Sequence, residues 1–502
     1  MEEKNLHYQS TRGDKKGVLS TEAIIKGIAG DGGLFVPETI PQINKDLYKL
    51  KGTDYKKLAF LIMKDFLTDY RQDELKDCIN KAYDNKFNTK IIAPLNKKAG
   101  AYFLELYHGP TLAFKDMALS LLPHLLKKAA QKLNLSQEIV ILTATSGDTG
   151  KAALQGFANV EGTKIIVFFP CKGVSKIQER QMLTQEGANT YVIGLKGSFD
   201  DAQSGVKEIF EDPAFNKKIK EKNYIFSSAN SINIGRLIPQ IVYYFYAYLN
   251  MLSKGEIKNG EKINIAVPTG NFGDILAAYY AKEMGLPANK LICASNENKV
   301  LADFFETGVY DKRRELIVTI SPSMDILVSS NLERLLWMTS EKDTRQVKEL
   351  MNSLKEKGYY RINSETKEKL KDFYGGFAYQ EESRQSIKEV FEKSKYLIDP
   401  HTAVAYAVYK KYTKETGDKT KTVIVATASP FKFTKSVMGS IDSRYKKFND
   451  FELIDKMSEL SQIPIPHRIR GIEKKPIQHK MVCEKGEMRT KIAEILTDRE
   501  GN

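Results

Sequence analysis

Residues 138–150, EIVILTATSGDTG, decide the fold: an apolar run from Ile139 to Leu142 passes through Thr143 and Ala144 into small, polar and glycine residues. Apolar side chains at consecutive positions, instead of alternating ones, mark a strand covered on both faces. The residues that follow, Thr145–Gly150, suit a tight turn into a helix. The pattern recurs in YFLEL (102–106), KIIVFFPCKG (164–173), KINIAVPTGNFGD (262–274) and LICASNENK (291–299), with helical patterns between the runs. That alternation is the signature of an α/β protein with parallel sheets. In such folds ligands gather where strands end and helices begin.

Outward from these runs the chain divides. Residues 1–100 read as an N-terminal helical unit, because KKLAFLIMKDFL (56–67) has apolar residues at helical spacing after the turn-rich GDGGLFVPE (30–38). Residues 101–295 and 396–450 form an α/β core in two lobes, with KTVIVATASP (421–430) returning to the sheet. Between them, 296–395 is charged and helix-rich, without a strand–glycine–helix signal, and reads as an insertion. Residues 451–502 form a C-terminal extension, since PIPHRIRGIEKKPIQHK (464–480) has breakers and charge but little apolar periodicity.

Composition narrows the class. With 502 residues, 42% hydrophobic and 28% charged, the chain can bury a large core as an ordinary globular protein does. Cys78, Cys171, Cys293 and Cys483 lie far apart, which fits neither a disulfide framework nor a zinc knuckle. The first residues, MEEKNLHYQSTRGDKKG, lack the apolar core of a secretory signal, and no long apolar span follows; a cytoplasmic location without membrane insertion is expected. The net charge of +14 is spread over lysines interleaved with Asp and Glu, as in KEVFEKSKY (388–396), so it marks solvated helix faces instead of a nucleic-acid partner. It can also steer anionic substrates.

Three segments carry chemistry. In ELYHGPTLAFKDMALSLLPHLL (105–126), Lys115 opens a helical pattern beside Asp116. Partial positive charge and desolvation there disfavour the ammonium, and a neutral amine is what forms a Schiff base with an aldehyde. A solvated lysine at a helix start is the competing reading. The Thr145–Gly150 turn offers Ser146, Thr149 and adjacent amides to a carboxylate, or is simply a strand–helix turn. The GxxxxGK[ST] phosphate loop is not matched there. Gly270, Asn271, Phe272, Gly273 and Asp274 lead from INIAV into a helix and can cradle a phosphate on backbone donors, or serve only as a turn. The six histidines have no metal-ligand spacing, so no metal is expected and His108, beside Gly109 and Pro110, reads as structural.

The combination is more specific than any one part. YxSTRG (8–13), GGLFVPE (32–38), HGPTLAFKDMA (108–118), TATSGDTG (143–150), NSINIGRLIPQ (230–240), PTGNFGD (268–274) and ATASPFKF (426–433) together resemble the motifs of the threonine synthase family, in that family's order. The resemblance runs from Tyr8 past Phe433. It implies the fold-type II architecture of pyridoxal-phosphate enzymes, like the tryptophan synthase β chain: an α/β fold of two domains with parallel-rich sheets.

The resemblance also implies the site. Lys115 is the Schiff-base lysine. Gly270, Asn271, Phe272, Gly273 and Asp274 lie at the cofactor phosphate, and Ser146, Gly147, Asp148, Thr149 and Gly150 grip the substrate carboxylate. Asp116 stands where many relatives in the wider fold place an asparagine near the ring hydroxyl. Thr427 matches the hydroxyl partner of the pyridine nitrogen, which leaves the ring a weaker electron sink than an aspartate would. Arg236, with Ser231 and Asn233, is the candidate for the substrate phosphate, and Lys176 is a second. Two departures stand out: Ser429 occupies the place of a histidine in many relatives, and Ile234-Gly235 replaces Trp-Ala. The implied reaction, that of a carbon–oxygen lyase acting on phosphates, converts O-phosphohomoserine and water into threonine and phosphate, with Lys115 moving the protons. The rival on the same fold is a phospho-lyase yielding a 2-oxo acid, phosphate and ammonia. The short N-terminal unit resembles that of the non-plant branch, which implies a monomer, with a dimer as the alternative.

Overall fold

A computed structural model describes residues 5–497, apart from 14–16, 44–45, 146 and 173. Two sheets organise it. The larger has six strands in the order Phe373–Phe377, Ala288–Ser295, Ile263–Pro268, Thr422–Ala426, Ala101–Glu105, Leu95–Lys98. All of its pairings are parallel except that of Leu95–Lys98 with Ala101–Glu105. The smaller sheet is parallel throughout, in the order Met481–Cys483, Thr190–Leu195, Thr163–Pro170, Glu138–Ala144, Tyr224–Ser228.

The apolar runs fill the centres of these sheets for the expected reason. Ile139–Leu142 and Ile263–Pro268 are buried at every position, so helices cover both faces. The N-terminal unit contributes helices Ser20–Lys26, Tyr55–Met63 and Gln72–Ala82, and a short antiparallel pair, Tyr8–Ser10 with Phe35–Pro37. It does not stand apart: Ser20–Lys26 packs on Leu122–Lys132, and Tyr55–Met63 packs on the twenty-residue helix Ile234–Ser253.

Two stretches differ from their sequence reading. The helix-rich 296–395 also supplies the edge strand Phe373–Phe377, whose apolar pattern is interrupted by Gly375 and Gly376. The C-terminal extension is not merely extended. It forms helices Glu452–Ser461 and Met488–Thr497, and its strand Met481–Cys483 closes one edge of the smaller sheet. Three residues are too few to show a period in the sequence.

Strands of both sheets end at one place. Ala144, Ser228 and Pro268 end strands, and Thr427 follows one; all four line a single cavity of about 1060 Å³. The expected crevice beyond the carboxyl ends of the strands is therefore formed by both sheets together.

Candidate active site

Three turns deliver the cavity's chemistry. At the first, Lys115 caps the short helix Asp116–Leu119, and its amine sits 4.6 Å over the Phe114 ring and 3.8 Å from an Asp148 carboxylate oxygen. Burial pulls its pKa down to about 8, with Arg236 and Lys432 adding to that and Asp148 and Asp274 opposing it. At pH 7 about a tenth is then neutral amine, far more than for a solvated lysine, although the ammonium still predominates.

At the second turn, Gly147 has φ 136° and opens helix Asp148–Phe157. A side chain there would be strained, and its Cβ would stand 2.7 Å from Gln178. The Gly147 and Gly150 amides both donate to Thr145 Oγ1, at 3.0 and 2.8 Å, so they are spent inside the turn. Asp148 and Thr149 line the cavity; Gly147 and Gly150 do not, and Ser146 lies outside the described residues. Asp148 is held by Lys432 Nζ at 2.5 Å and Gln178 Nε2 at 2.7 Å. Burial alone would raise its pKa, but Lys432 and then Lys115 hold it well below the usual carboxylate range.

The third turn reaches Phe272, left-handed at φ 63°, before helix Gly273–Glu283. The Gly270 and Asn271 carbonyls are turned away, accepting from Ser329 Oγ at 2.7 Å and from Asn331 Nδ2 at 2.9 Å. The amides of Gly270, Asn271 and Phe272 have no acceptor among the described residues. Gly270 through Asp274 all line the cavity. Unclaimed amides at the start of an eleven-residue helix fit a bound phosphate. Asp274 accepts from the Tyr243 and Tyr244 hydroxyls through Oδ1, while its buried Oδ2 is unpartnered; burial pushes its pKa up to about 6.

Arg236 and Thr427 complete the wall. The guanidinium is 3% exposed, donates from Nη1 to the Ala229 carbonyl at 3.0 Å, and has no acceptor for its buried Nε. Burial lowers its pKa to about 10, which leaves it charged at neutral pH. The Thr427 hydroxyl also has no partner among the described residues. Ser231 lines the same cavity, and Arg12, Lys26, Lys207, Lys312 and Lys355 lie around it.

Several expected residues are placed elsewhere. Asp116 does not line the cavity: Thr111 occupies both its oxygens, from N at 2.8 Å and from Oγ1 at 2.6 Å. Asn233 is the N-cap of helix Ile234–Ser253, and its amide is bound to the Ile24 and Ser228 carbonyls. It positions Arg236 rather than facing a ligand. Lys176 is exposed, pairs with Glu179 at 2.8 Å and lies outside the cavity. His108, as expected, is engaged locally, by Glu105 at 2.6 Å.

Two residues were not foreseen. Lys432, within ATASPFKF, is fully buried behind the cavity on Asp148 and the Thr111 carbonyl. His401 lines the cavity; its Nδ1 meets Asp399 at 2.7 Å and its Nε2 accepts from the Ser323 amide at 3.2 Å. The Asp399-Pro400 step, an N-cap followed by proline at a helix start, was the signal that could have found the second.

The model of the threonine synthase N terminus matches residues 7–83, that of pyridoxal-phosphate-dependent enzymes residues 86–428, and that of the threonine synthase C-terminal region residues 402–483. The threonine synthase of Schizosaccharomyces pombe is 38% identical over 474 residues, 88% of this chain and 90% of that one. The chain belongs to the threonine synthase family. A threonine synthase of Brucella melitensis, solved with pyridoxal phosphate bound, superposes with a TM-score of 0.86 at 32% identity, covering 99% of this chain and 100% of that one. Threonine synthase-like 1 of Macaca fascicularis is 41% identical over 444 residues, 86% of this chain; the match covers 58% of that protein's length.

The fold-type II architecture expected of this family is therefore present, and its cofactor is pyridoxal phosphate. The buried amine, the free amides and the unpartnered hydroxyl fit that group. Among the described residues no cluster of metal-ligating side chains occurs, and no helix is long and apolar enough to cross a membrane.

Proposed function

We propose that this chain converts O-phospho-L-homoserine and water into L-threonine and inorganic phosphate. One observation carries the reading: Arg236, a buried guanidinium without a carboxylate partner, lines the same cavity as the amides of Gly270–Phe272. The cavity thus offers a second place for an anion besides the cofactor's phosphate, as a phosphorylated amino acid requires.

In this reading Lys115 carries the cofactor, the amides of Gly270, Asn271 and Phe272 hold its phosphate, and Thr427 meets its ring nitrogen. The bound cofactor supplies an electron sink that acidifies the carbon next to the substrate nitrogen. Lys115, released as a neutral amine, takes the proton from Cα, a second proton is lost from Cβ as the γ-phosphate departs, and protons return at Cγ and, after water has added at Cβ, at Cα. Its burial in the cavity wall supports this role, because a base held beside the reacting carbon gains from proximity. Arg236 and Ser231 hold the γ-phosphate as it leaves, and Thr149 orients the substrate carboxylate. Water is then admitted at Cβ.

Incubating the holoenzyme with O-phosphohomoserine and measuring all products tests this. Threonine and phosphate in equal amounts are expected. Ammonia and 2-oxobutyrate with phosphate, and no threonine, would instead establish a phospho-lyase.

A further inference from the structure

Lys432 is 0% exposed, and a lysine so placed must be compensated. Its amine meets Asp148 at 2.5 Å and the Thr111 carbonyl at 2.9 Å. Asp148 faces Lys432 through Oδ1 and Lys115, at 3.8 Å, through Oδ2. One buried carboxylate therefore stands between two buried amines.

The arrangement has a chemical consequence, resting on the reading that Lys115 carries the cofactor and moves protons. Each time Lys115 is neutral, Asp148 loses one of its two cations. A buried carboxylate left with none would take up a proton or bind the nearest ammonium. Lys432, fully buried and not among the residues that line the cavity, remains its partner throughout.

We propose that Lys432 is a positioning residue: it keeps Asp148 anionic but satisfied, so that Lys115 is free to give up its proton and Asp148 can receive the charge when Lys115 takes one back. The charged groups acting on Lys115 are Asp148, Arg236, Lys432 and Asp274; those acting on Asp148 are Lys432 and Lys115. Removing Lys432 takes away a repelling cation and leaves Asp148 to pair with Lys115 alone. Both effects favour the Lys115 ammonium. Removing the charge of Asp148 does the opposite.

The opposite signs make the test. In cofactor-free protein, the pH dependence of Lys115 acylation by acetic anhydride, read by peptide mass spectrometry against a reference amine, gives the proton affinity of Lys115. Lys432→Met is expected to shift the midpoint up by about one pH unit or more, Asp148→Asn to shift it down, and Lys432→Arg to stay near the parent. Circular dichroism of each variant shows whether it is folded. Should Lys432→Met fail to fold, Lys432→Gln and Asp148→Asn are compared instead. Midpoints that are unchanged, or that move the same way in both variants, would overturn the proposal. Borohydride reduction of the holoenzyme separately reports whether the cofactor is on Lys115. That result can fail without the midpoints changing, so the two failures are distinguishable.

Discussion

Gly270 packs on Ser323 so closely that a Cβ at Gly270 would stand 2.6 Å from the Ser323 carbonyl oxygen. The phosphate-suited turn thus packs directly on the 322–324 turn, which lines the same cavity, and its shape depends on that contact. Gly270→Ala must displace one or the other, at a cost of about 1–3 kcal/mol. The dissociation constant for pyridoxal phosphate, from fluorescence titration of cofactor-free protein, is expected to rise roughly 5- to 150-fold. An unchanged constant would mean that this turn does not hold the cofactor.

His401 braces the 322–324 turn that packs on Gly270. Its Nε2 accepts from the Ser323 amide, a role that requires that nitrogen to carry no proton. His401→Ala should loosen the turn and weaken cofactor retention by about 1–2 kcal/mol, roughly 5- to 30-fold, with little change in secondary structure. The rate of cofactor loss on dilution measures this.

Arg236 makes a double prediction. A buried guanidinium with an unpartnered Nε costs the free protein stability, so Arg236→Met should melt at the same temperature as the parent or higher. The same variant loses a charge-assisted contact of about 1.5–3 kcal/mol to the substrate phosphate, which raises KM roughly 10- to 150-fold. A lower melting point together with an unchanged KM would contradict both halves.

Asp274 gives a pH signature. Its folded pKa of about 6 lies above the ordinary carboxylate value of 3.8, so the folded state binds the proton more tightly than the unfolded chain. Stability from this group is fully present below about 3.8 and is lost as pH rises through about 6. Asp148 works in the opposite direction, its contribution being lost as pH falls. The difference in unfolding free energy between cofactor-free parent and Asp274→Asn isolates the first effect. It should turn in the variant's favour between pH 4 and pH 7; a flat difference would show that Asp274 is not buried as a strained acid.

The sheets were legible because their central strands are covered on both faces, and that forces runs such as INIAV and IVIL. Edge strands carry no such burden. Phe373–Phe377 has two glycines and Met481–Cys483 only three residues, so neither shows a period. In the site, the residues proposed to act through their backbone, Gly270 to Gly273, announce themselves through glycine and a strand–helix junction. Those acting through one buried side chain do not: nothing in PFKF distinguishes Lys432 from the many solvated lysines around it. Asn233 and Asp116 err the other way, since a polar residue beside a site motif can be spent on capping a helix or bracing a loop.

The amine that captures the cofactor is the most direct point of test, because the protein holds a competitor. Burial lowers the pKa of Lys151 to about 7, further than that of Lys115, yet Lys151 does not line the cavity and donates to Gln185. Reducing the pyridoxal-phosphate-loaded protein with borohydride and sequencing the tagged peptide by mass spectrometry decides between position and basicity. The tag is predicted on Lys115; a tag on Lys151 or on any other lysine, or no tag at all, would contradict the account.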